Sequence, residues 1–344
     1  MDIFTNLSEQ THYSTAKLQG IISAWVLSSA FERRAGKVSA NDGHVEEAEY
    51  RKQSIYALLY SVYASVGTVK SERGEPYQFT FNTWGYAWPT AWGESPTSAR
   101  DPQRFGRNAY SGLHHFAALR ELARARDGLI HIVEMGCGTG AGADHVCENV
   151  WPRCTYEAVD MQRAAIETCR RMFVPRHRNR LVATHADATN LPIGDAVADI
   201  VAVCETHVTD QGEVMTEEDR KFFRSASRVL KPGGFLTWGN AIPDRAWQPC
   251  LDFMASIGLE LVEKVDVTQE AIRARDEDHA RIEAYVEQTV QKFAAFRLPV
   301  VGPARAADAG LAMRNLARDP GTRLYDDMVT RADTYKVVLA RKRA

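Results

Sequence analysis

Residues 129–142 read LIHIVEMGCGTGAG, and this stretch decides the fold. A β-prone apolar run, Leu129 to Val133, ends at Glu134, and glycines follow at 136, 138, 140 and 142. The run has the length and branching of a buried strand. Glycines let the chain turn tightly and let a ligand approach the main chain without meeting a Cβ. A helix starting after them presents unbonded N–H groups and partial positive charge. Alone the loop is ambiguous, because GCGTGA also satisfies the GxGxxG/A pattern of dinucleotide-binding folds.

The sequence downstream removes part of that ambiguity. Short apolar runs alternate with helical stretches: YEAVD (156–160), LVATHADA (181–188), ADIVAVCE (198–205), a helix ending SRVLKPGG (227–234), and FLTWGNA (235–241). LELVEKVDV (259–267) and TYKVVLARK (334–342) are two more strand candidates. This alternation predicts βαβ units and a largely parallel α/β sheet covered on both faces. Glu134 stands where dinucleotide folds keep an apolar residue; a carboxylate there repels a pyrophosphate and suits an α-ammonium group. Asp160 closes the second strand, where an acid can take both ribose hydroxyls. Asp187 and Ala188 follow the third, where an Asp can accept from an adenine amino group.

In combination these motifs resemble the class I S-adenosylmethionine-dependent methyltransferases. EMGCGTG (134–140) matches the family's E/D-x-G-x-G-x-G loop, AVD (158–160) its ribose-binding acid, ADATNLP (186–192) its adenine-side loop, and RVLKPGG (228–234) its turn before the fifth strand. The resemblance covers about Gly128–Val267 and Tyr335–Lys342. It implies S-adenosyl-L-methionine as cofactor, held by Glu134, Gly136, Cys137, Gly138, Gly140, Asp160, Met161, Asp187 and Ala188, with Cys137 a small neutral neighbour and not a nucleophile. It also implies a Rossmann-like seven-stranded sheet in 3-2-1-4-5-7-6 order with only the last strand antiparallel. Tyr335, Val337 and Leu339 on one face of that strand agree with a buried position. Among family members the chain is most similar to small-molecule enzymes acting on phthiotriol-type lipids and fatty acids. These carry an aromatic segment ahead of the core, here Asn82, Trp84, Gly85 and Tyr86. They also carry a helical insertion before the final strand and an acid after the fourth strand, here Glu205. Residues 1–70 have no counterpart in that comparison.

The first third reads helical, with apolar stripes at Leu18, Ile21, Ile22, Trp25 and Val26, and at Ile55, Leu58, Leu59, Val62 and Val66. Tyr77 to Trp92 is too interrupted by Gly85 and Pro89 for a helix and reads as a structured loop; a helix is expected from about Asn108 to Arg126. The expected organisation is a helical N-terminal extension with the aromatic segment over 1–107 and a methyltransferase core over 108–344. Within that core, 268–333 form a helical lid marked by Ile282, Val286, Val290, Phe293 and Phe296.

A sulfonium methyl donor needs no metal, and the protein mainly has to hold the nucleophile in line, worth roughly 7–11 kcal/mol of barrier. Tyr86 and Trp84 are candidates for cation–π contact with the sulfonium, or for plain core packing. Glu205 and His207, where the fourth strand leaves the sheet, are candidate general bases; their alternative is a capped strand end. Asn240 and Asp244 are weaker candidates on the same crevice argument. The basic run Arg170–Arg180 reads as a solvated face, and His114–His115 lacks partners at metal-ligand spacing.

Composition narrows the class. The chain has 344 residues, 45% hydrophobic and 25% charged, with 42 basic and 44 acidic side chains giving a net charge of −2. That balance argues against nucleic acid as a partner. Gly20 to Phe31 is too short and serine-rich to span a bilayer, and MDIFTNLSEQ lacks the regions of a signal peptide. Six cysteines at irregular spacings suit reduced thiols. A cytoplasmic enzyme without integral membrane contact is therefore expected, and a homodimer is compatible with the reading. The expected reaction is methylation of a hydroxyl or carboxyl oxygen on a small, apolar, lipid-like molecule. Its rivals are C-methylation of a prenyl or sterol-like alkene with Glu205 as base, with Arg245 the nearest cation for a diphosphate; an NAD(P)-dependent oxidoreductase, disfavoured by Glu134; and an inactive binding scaffold.

Overall fold

The computed structural model describes residues 68–71, 73–81, 83–206, 215–295, 310, 313–315 and 317–343. The apolar stripes between Leu18 and Val66, together with Asn82, His207 and Phe296, lie outside the described residues. The chain divides into two compact units, the larger comprising residues 80–161, 165–277 and 324–344.

The larger unit is built on seven strands: β1 (His131–Met135), β2 (Thr155–Asp160), β3 (Leu181–His185), β4 (Ala198–Cys204), β5 (Leu230–Pro243), β6 (Leu259–Asp266) and β7 (Asp333–Lys342). Their order is 3-2-1-4-5-7-6. Pairing is parallel from β3 to β5, and β7 runs antiparallel to both β5 and β6. The order and the reversed strand are those expected from the sequence.

Period-2 alternation divides the side chains between two layers. Ile132, Tyr156, Ala158, Ile200, Ala202, Tyr335, Val337 and Leu339 join one core, while Val133, Met135, Val159, Val201, Val203, Trp238 and Val338 join the other. Both faces are buried, so the middle strands read as continuous apolar runs. Asp199 interrupts the run in β4; it accepts from the His131 N–H at 2.9 Å and pairs with Lys231 at 2.9 Å and Arg126 at 3.1 Å.

The expected helix from Asn108 to Arg126 is two helices, α1 (Arg104–Leu113) and α2 (Ala117–Ala125). The break lets Leu113 and Phe116 both enter the core, and Thr237 Oγ1 donates to the Leu113 carbonyl at 2.6 Å. Burial holds His114 neutral, its pKa lowered to about 3. Among the described residues the remaining α-helices are α3 (Ala141–His145, continued as a π turn to Val150), α4 (Arg163–Met172), α5 (Glu217–Val229), α6 (Trp247–Ser256), α7 (Thr268–Ala295) and α8 (Arg323–Val329).

A capping box starts α5: Thr216 Oγ1 accepts from the Asp219 N–H at 3.2 Å, and the Asp219 carboxylate accepts from the Thr216 N–H at 2.7 Å. Thr216→Ala should cost about 1 kcal/mol, read as a lower urea midpoint with unchanged slope; an unmoved midpoint would show that the box adds nothing.

In the smaller unit, strands Thr68–Lys70 and Pro76–Gln78 form an antiparallel pair. Phe79 stacks on Tyr285 of α7 at 4.1 Å. Ile282 and Val286 of the expected apolar face are buried. No described helix is long and apolar enough to cross a membrane.

Candidate active site

Parallel pairing brings the carboxyl ends of β1, β2 and β4 to one edge, with Met135 opposite Val159 and Glu134 opposite Ala202. Open α/β sheets bind ligands at such an edge. The loop after β1 turns through Gly136, Gly138 and Gly140 at φ of 82°, 55° and 85°. A Cβ at Gly136 would lie 2.3 Å from Thr206 Oγ1, and one at Gly140 2.2 Å from Cys169 Sγ, so neither position admits a side chain.

Asp160 ends β2 and accepts the Gly138 N–H at 2.8 Å, which locks the glycine loop to the acid. Met161 follows it, 43% exposed. Asp187 caps the short 3-10 turn Ala188–Asn190 by accepting the Thr189 N–H at 2.8 Å. Burial pushes the Cys137 thiol well above its ordinary range, so it stays neutral.

Glu134 is 0% exposed. Tyr156 Oη donates to its Oε2 at 3.0 Å, and the Tyr110 hydroxyl also faces the carboxylate. Burial, against the Tyr110 and Tyr156 hydroxyls, raises its pKa to about 7, and the Asp160 charge adds to the rise. The carboxylate expected to face an ammonium group is thus fully buried behind the glycine loop.

Glu205 leaves β4 in the left-handed region at φ 49°, a conformation that costs a non-glycine residue on the order of 1 kcal/mol. Its carboxylate takes three donors: the Trp84 N–H at 3.0 Å, the Gly85 N–H at 2.9 Å and Tyr335 Oη at 2.9 Å. Burial beside Glu205 pushes the Tyr335 phenol well above its ordinary range, so it remains a donor. The segment Thr80–Trp88 is irregular, and side chains satisfy much of its backbone. Thr139 Oγ1 of the glycine loop donates to the Thr80 carbonyl at 2.5 Å, Arg275 donates to the Trp84 carbonyl, and Asn108 to the Tyr86 carbonyl at 3.2 Å.

Tyr86 is a core residue, 1% exposed, edge-on to Tyr335 at 5.2 Å and Trp92 at 6.2 Å. Asn240 donates to the Thr206 carbonyl at 2.8 Å, and Asp244 binds Thr334 and Lys336 of β7. The basic run is not simply a solvated face. Arg170 donates to the Ala183 carbonyl, Arg176 pairs with Asp144 and Glu148, and His177 meets Asp144 at 2.7 Å. In the smaller unit His279, Glu283 and Asp319 have ligand atoms within 4.8 Å of one another, but the Arg314 guanidinium already holds Glu283.

Thr139, Tyr156 and Tyr335 were not read from the sequence as site residues. The usable signal was that a buried tyrosine in a strand needs a partner for its hydroxyl; the identity of that partner is a long-range fact.

These groups suit an adenosyl cofactor. The loop is closed to side chains, the acid beside it is fixed, and Glu134 adds negative field. Glu134, Gly136, Gly138, Gly140, Asp160 and Asp187 are the residues that would hold it. Once bound, S-adenosylmethionine supplies a methyl group on a positively charged sulfur.

Comparison with known proteins agrees. Residues 132–234 match the family model described as methyltransferase domain. The fatty-acid O-methyltransferase of Mycolicibacterium smegmatis is 27% identical over 206 residues, 58% of this chain and 68% of that protein. The phthiotriol/phenolphthiotriol dimycocerosates methyltransferase of Mycobacterium tuberculosis is 25% identical over 228 residues, 64% and 74%. In fold, the crystal structure of the [4+2]-cyclase SpnF aligns with a TM-score of 0.53 at 18% identity, over 86% of this chain and 96% of that one.

Proposed function

We propose that this chain, whose residues 132–234 match a methyltransferase domain, uses S-adenosylmethionine to methylate a hydroxyl or carboxyl oxygen of a small, lipid-like molecule. The observation that carries the choice of oxygen is the state of Glu205. Methylating an alkene generates a carbocation, so that reaction needs a carboxylate to stabilise the charge and remove a proton. Both oxygens of Glu205 are already bonded to the Trp84 and Gly85 amides and the Tyr335 hydroxyl. A carboxylate acceptor needs no base, and a hydroxyl can lose its proton to water, so methyl transfer to oxygen tolerates a Glu205 held in this way. Similarity to a fatty-acid O-methyltransferase supports the same choice.

The test is incubation with methyl-labelled S-adenosylmethionine and a panel of fatty acids, long-chain diols and prenyl diphosphates, analysed by mass spectrometry. The expected product is a methyl ester or ether, the ester cleaved by base. Label found only on carbon would replace this reading with the alkene one. Calorimetry should show binding of S-adenosylhomocysteine and none of NAD; the reverse would return the chain to the oxidoreductases.

A further inference from the structure

Glu205 is the acid that fold position alone would nominate as the base. Its surroundings assign it a different task. Its three donors come from two places far apart in sequence, the Trp84–Gly85 amides and the Tyr335 hydroxyl of β7, and all three meet one carboxylate. The left-handed turn at Glu205 carries its side chain back toward them, and its own N–H is fixed on the Gly239 carbonyl at 2.8 Å. Thr206 then donates to the Met135 carbonyl at 2.8 Å, so the same exit turn is tied to the end of β1.

The peptide between these points is not regular structure. Phe81, Thr83, Tyr86 and Ala87 are nonetheless buried, and buried backbone amides in irregular chain must find acceptors. For Trp84 and Gly85 the acceptor is Glu205. One end of the same segment is fastened to the glycine loop, through Thr139 Oγ1 on the Thr80 carbonyl. Its middle is fastened to α7 through Arg275 on the Trp84 carbonyl. Displacing residues 80–88 therefore means breaking bonds to the loop that approaches the cofactor, to α7 and to Glu205. Of these anchors, Glu205 alone takes two of the segment's backbone amides at once, one on each carboxylate oxygen.

We infer that Glu205 is a positioning residue: its carboxylate fixes the aromatic segment 80–88 to the carboxyl ends of β1 and β4, and so holds the glycine loop in its cofactor-ready form. Tyr335 is its partner in this role, orienting the carboxylate toward the two amides. Proton removal from the acceptor, where the reaction requires it, falls to another group. The inference rests on the methyl-transfer reading only for its consequence at the cofactor; the clamp itself is a property of the protein without ligand.

Two measurements on the full chain separate those parts. Hydrogen exchange followed by mass spectrometry, without ligand, should rise at least tenfold in the peptide spanning 80–92 for Glu205→Gln, while β4 and β5 keep their protection. Tyr335→Phe removes one donor of three and should give a smaller rise at the same peptide, which guards against a Gln variant that folds poorly. Combining the two should add little to Glu205→Gln alone, because both act on one network. Stopped-flow dissociation of S-adenosylhomocysteine should quicken about tenfold in Glu205→Gln, with association little changed. Unaltered exchange over 80–92 in both variants overturns the inference, as does a dissociation rate equal to the parent's despite faster exchange. If the parent does not bind S-adenosylhomocysteine, the cofactor reading fails and the exchange arm still decides the clamp. With an acceptor in hand, a general base would lose the pH-dependent limb of kcat on Glu205→Gln, whereas a positioning residue lowers the whole profile and leaves its shape.

Discussion

Asp160→Ala should weaken S-adenosylhomocysteine binding about 10²-fold. Two effects combine in this estimate. Hydrogen bonds from ribose hydroxyls to a carboxylate are each worth about 1.5–3 kcal/mol, so losing one accounts for a factor of ten or more. The same carboxylate accepts the Gly138 N–H at 2.8 Å, and without it the glycine loop loses the anchor that presents its backbone. Asp160→Asn separates the two. Its amide oxygen can still accept from Gly138, so the loop stays in place, while one of the two acceptor oxygens becomes a donor. About tenfold weaker binding is expected for Asn and about 10²-fold for Ala, measured by calorimetry at constant salt. Parental affinity in the Ala variant would remove Asp160 from the cofactor site. Equal losses in both variants would show that the loop anchor contributes nothing.

The sheet was legible because its signals are local. The first four strands are short apolar runs bounded by turn signals, and the middle ones are buried on both faces, which removes the polar alternation that otherwise blurs a strand. Strand order came from the resemblance carried by Glu134–Gly140, Asp160 and Arg228–Gly234, since periodicity says nothing about which strands neighbour. The single helix expected over 108–126 failed for a physical reason that the pattern hides. Leu113 and Phe116 both have to enter the core, and a break at His114 achieves this at the cost of burying an imidazole without hydrogen-bond partners.

The site was legible in part. Glycine positions and terminal acids follow from strand ends, so Gly136, Gly138, Gly140 and Asp160 were accessible from the sequence. What each side chain touches was not. Glu205 looks the same in sequence whether it faces a substrate or a backbone amide 121 residues away. Tyr86 looks the same whether it flanks a cofactor or fills the space between Trp92 and Tyr335. Glu134 was read as a residue of the cofactor site, and its complete burial against Tyr156 was not visible from the sequence.

That burial has a measurable cost. Glu134 has its pKa raised from the ordinary 4.5 to about 7, chiefly by burial. In the pH range between those values the native protein holds a proton that the unfolded chain has released. Stability therefore falls as pH rises through this window, and is fully reduced above about pH 7. A shift of this size corresponds to about 3 kcal/mol. The groups facing the carboxylate are the Tyr110 and Tyr156 hydroxyls, which favour its charge, and Asp160, which opposes it; none replaces the lost hydration. Glu134→Gln removes the titration and keeps the shape. In urea unfolding of the ligand-free chain, the variant should gain about 2–3 kcal/mol on the parent between pH 5 and pH 8. Its S-adenosylhomocysteine affinity at pH 8 should nevertheless fall about tenfold, because the negative field beneath the loop is gone. A variant that tracks the parent equally at both pH values would show that Glu134 does not titrate there. Unchanged affinity would show that the charge is not used for the cofactor. Gain in stability together with loss of binding is the result that makes this buried acid a functional group, retained against the stability of the fold that contains it.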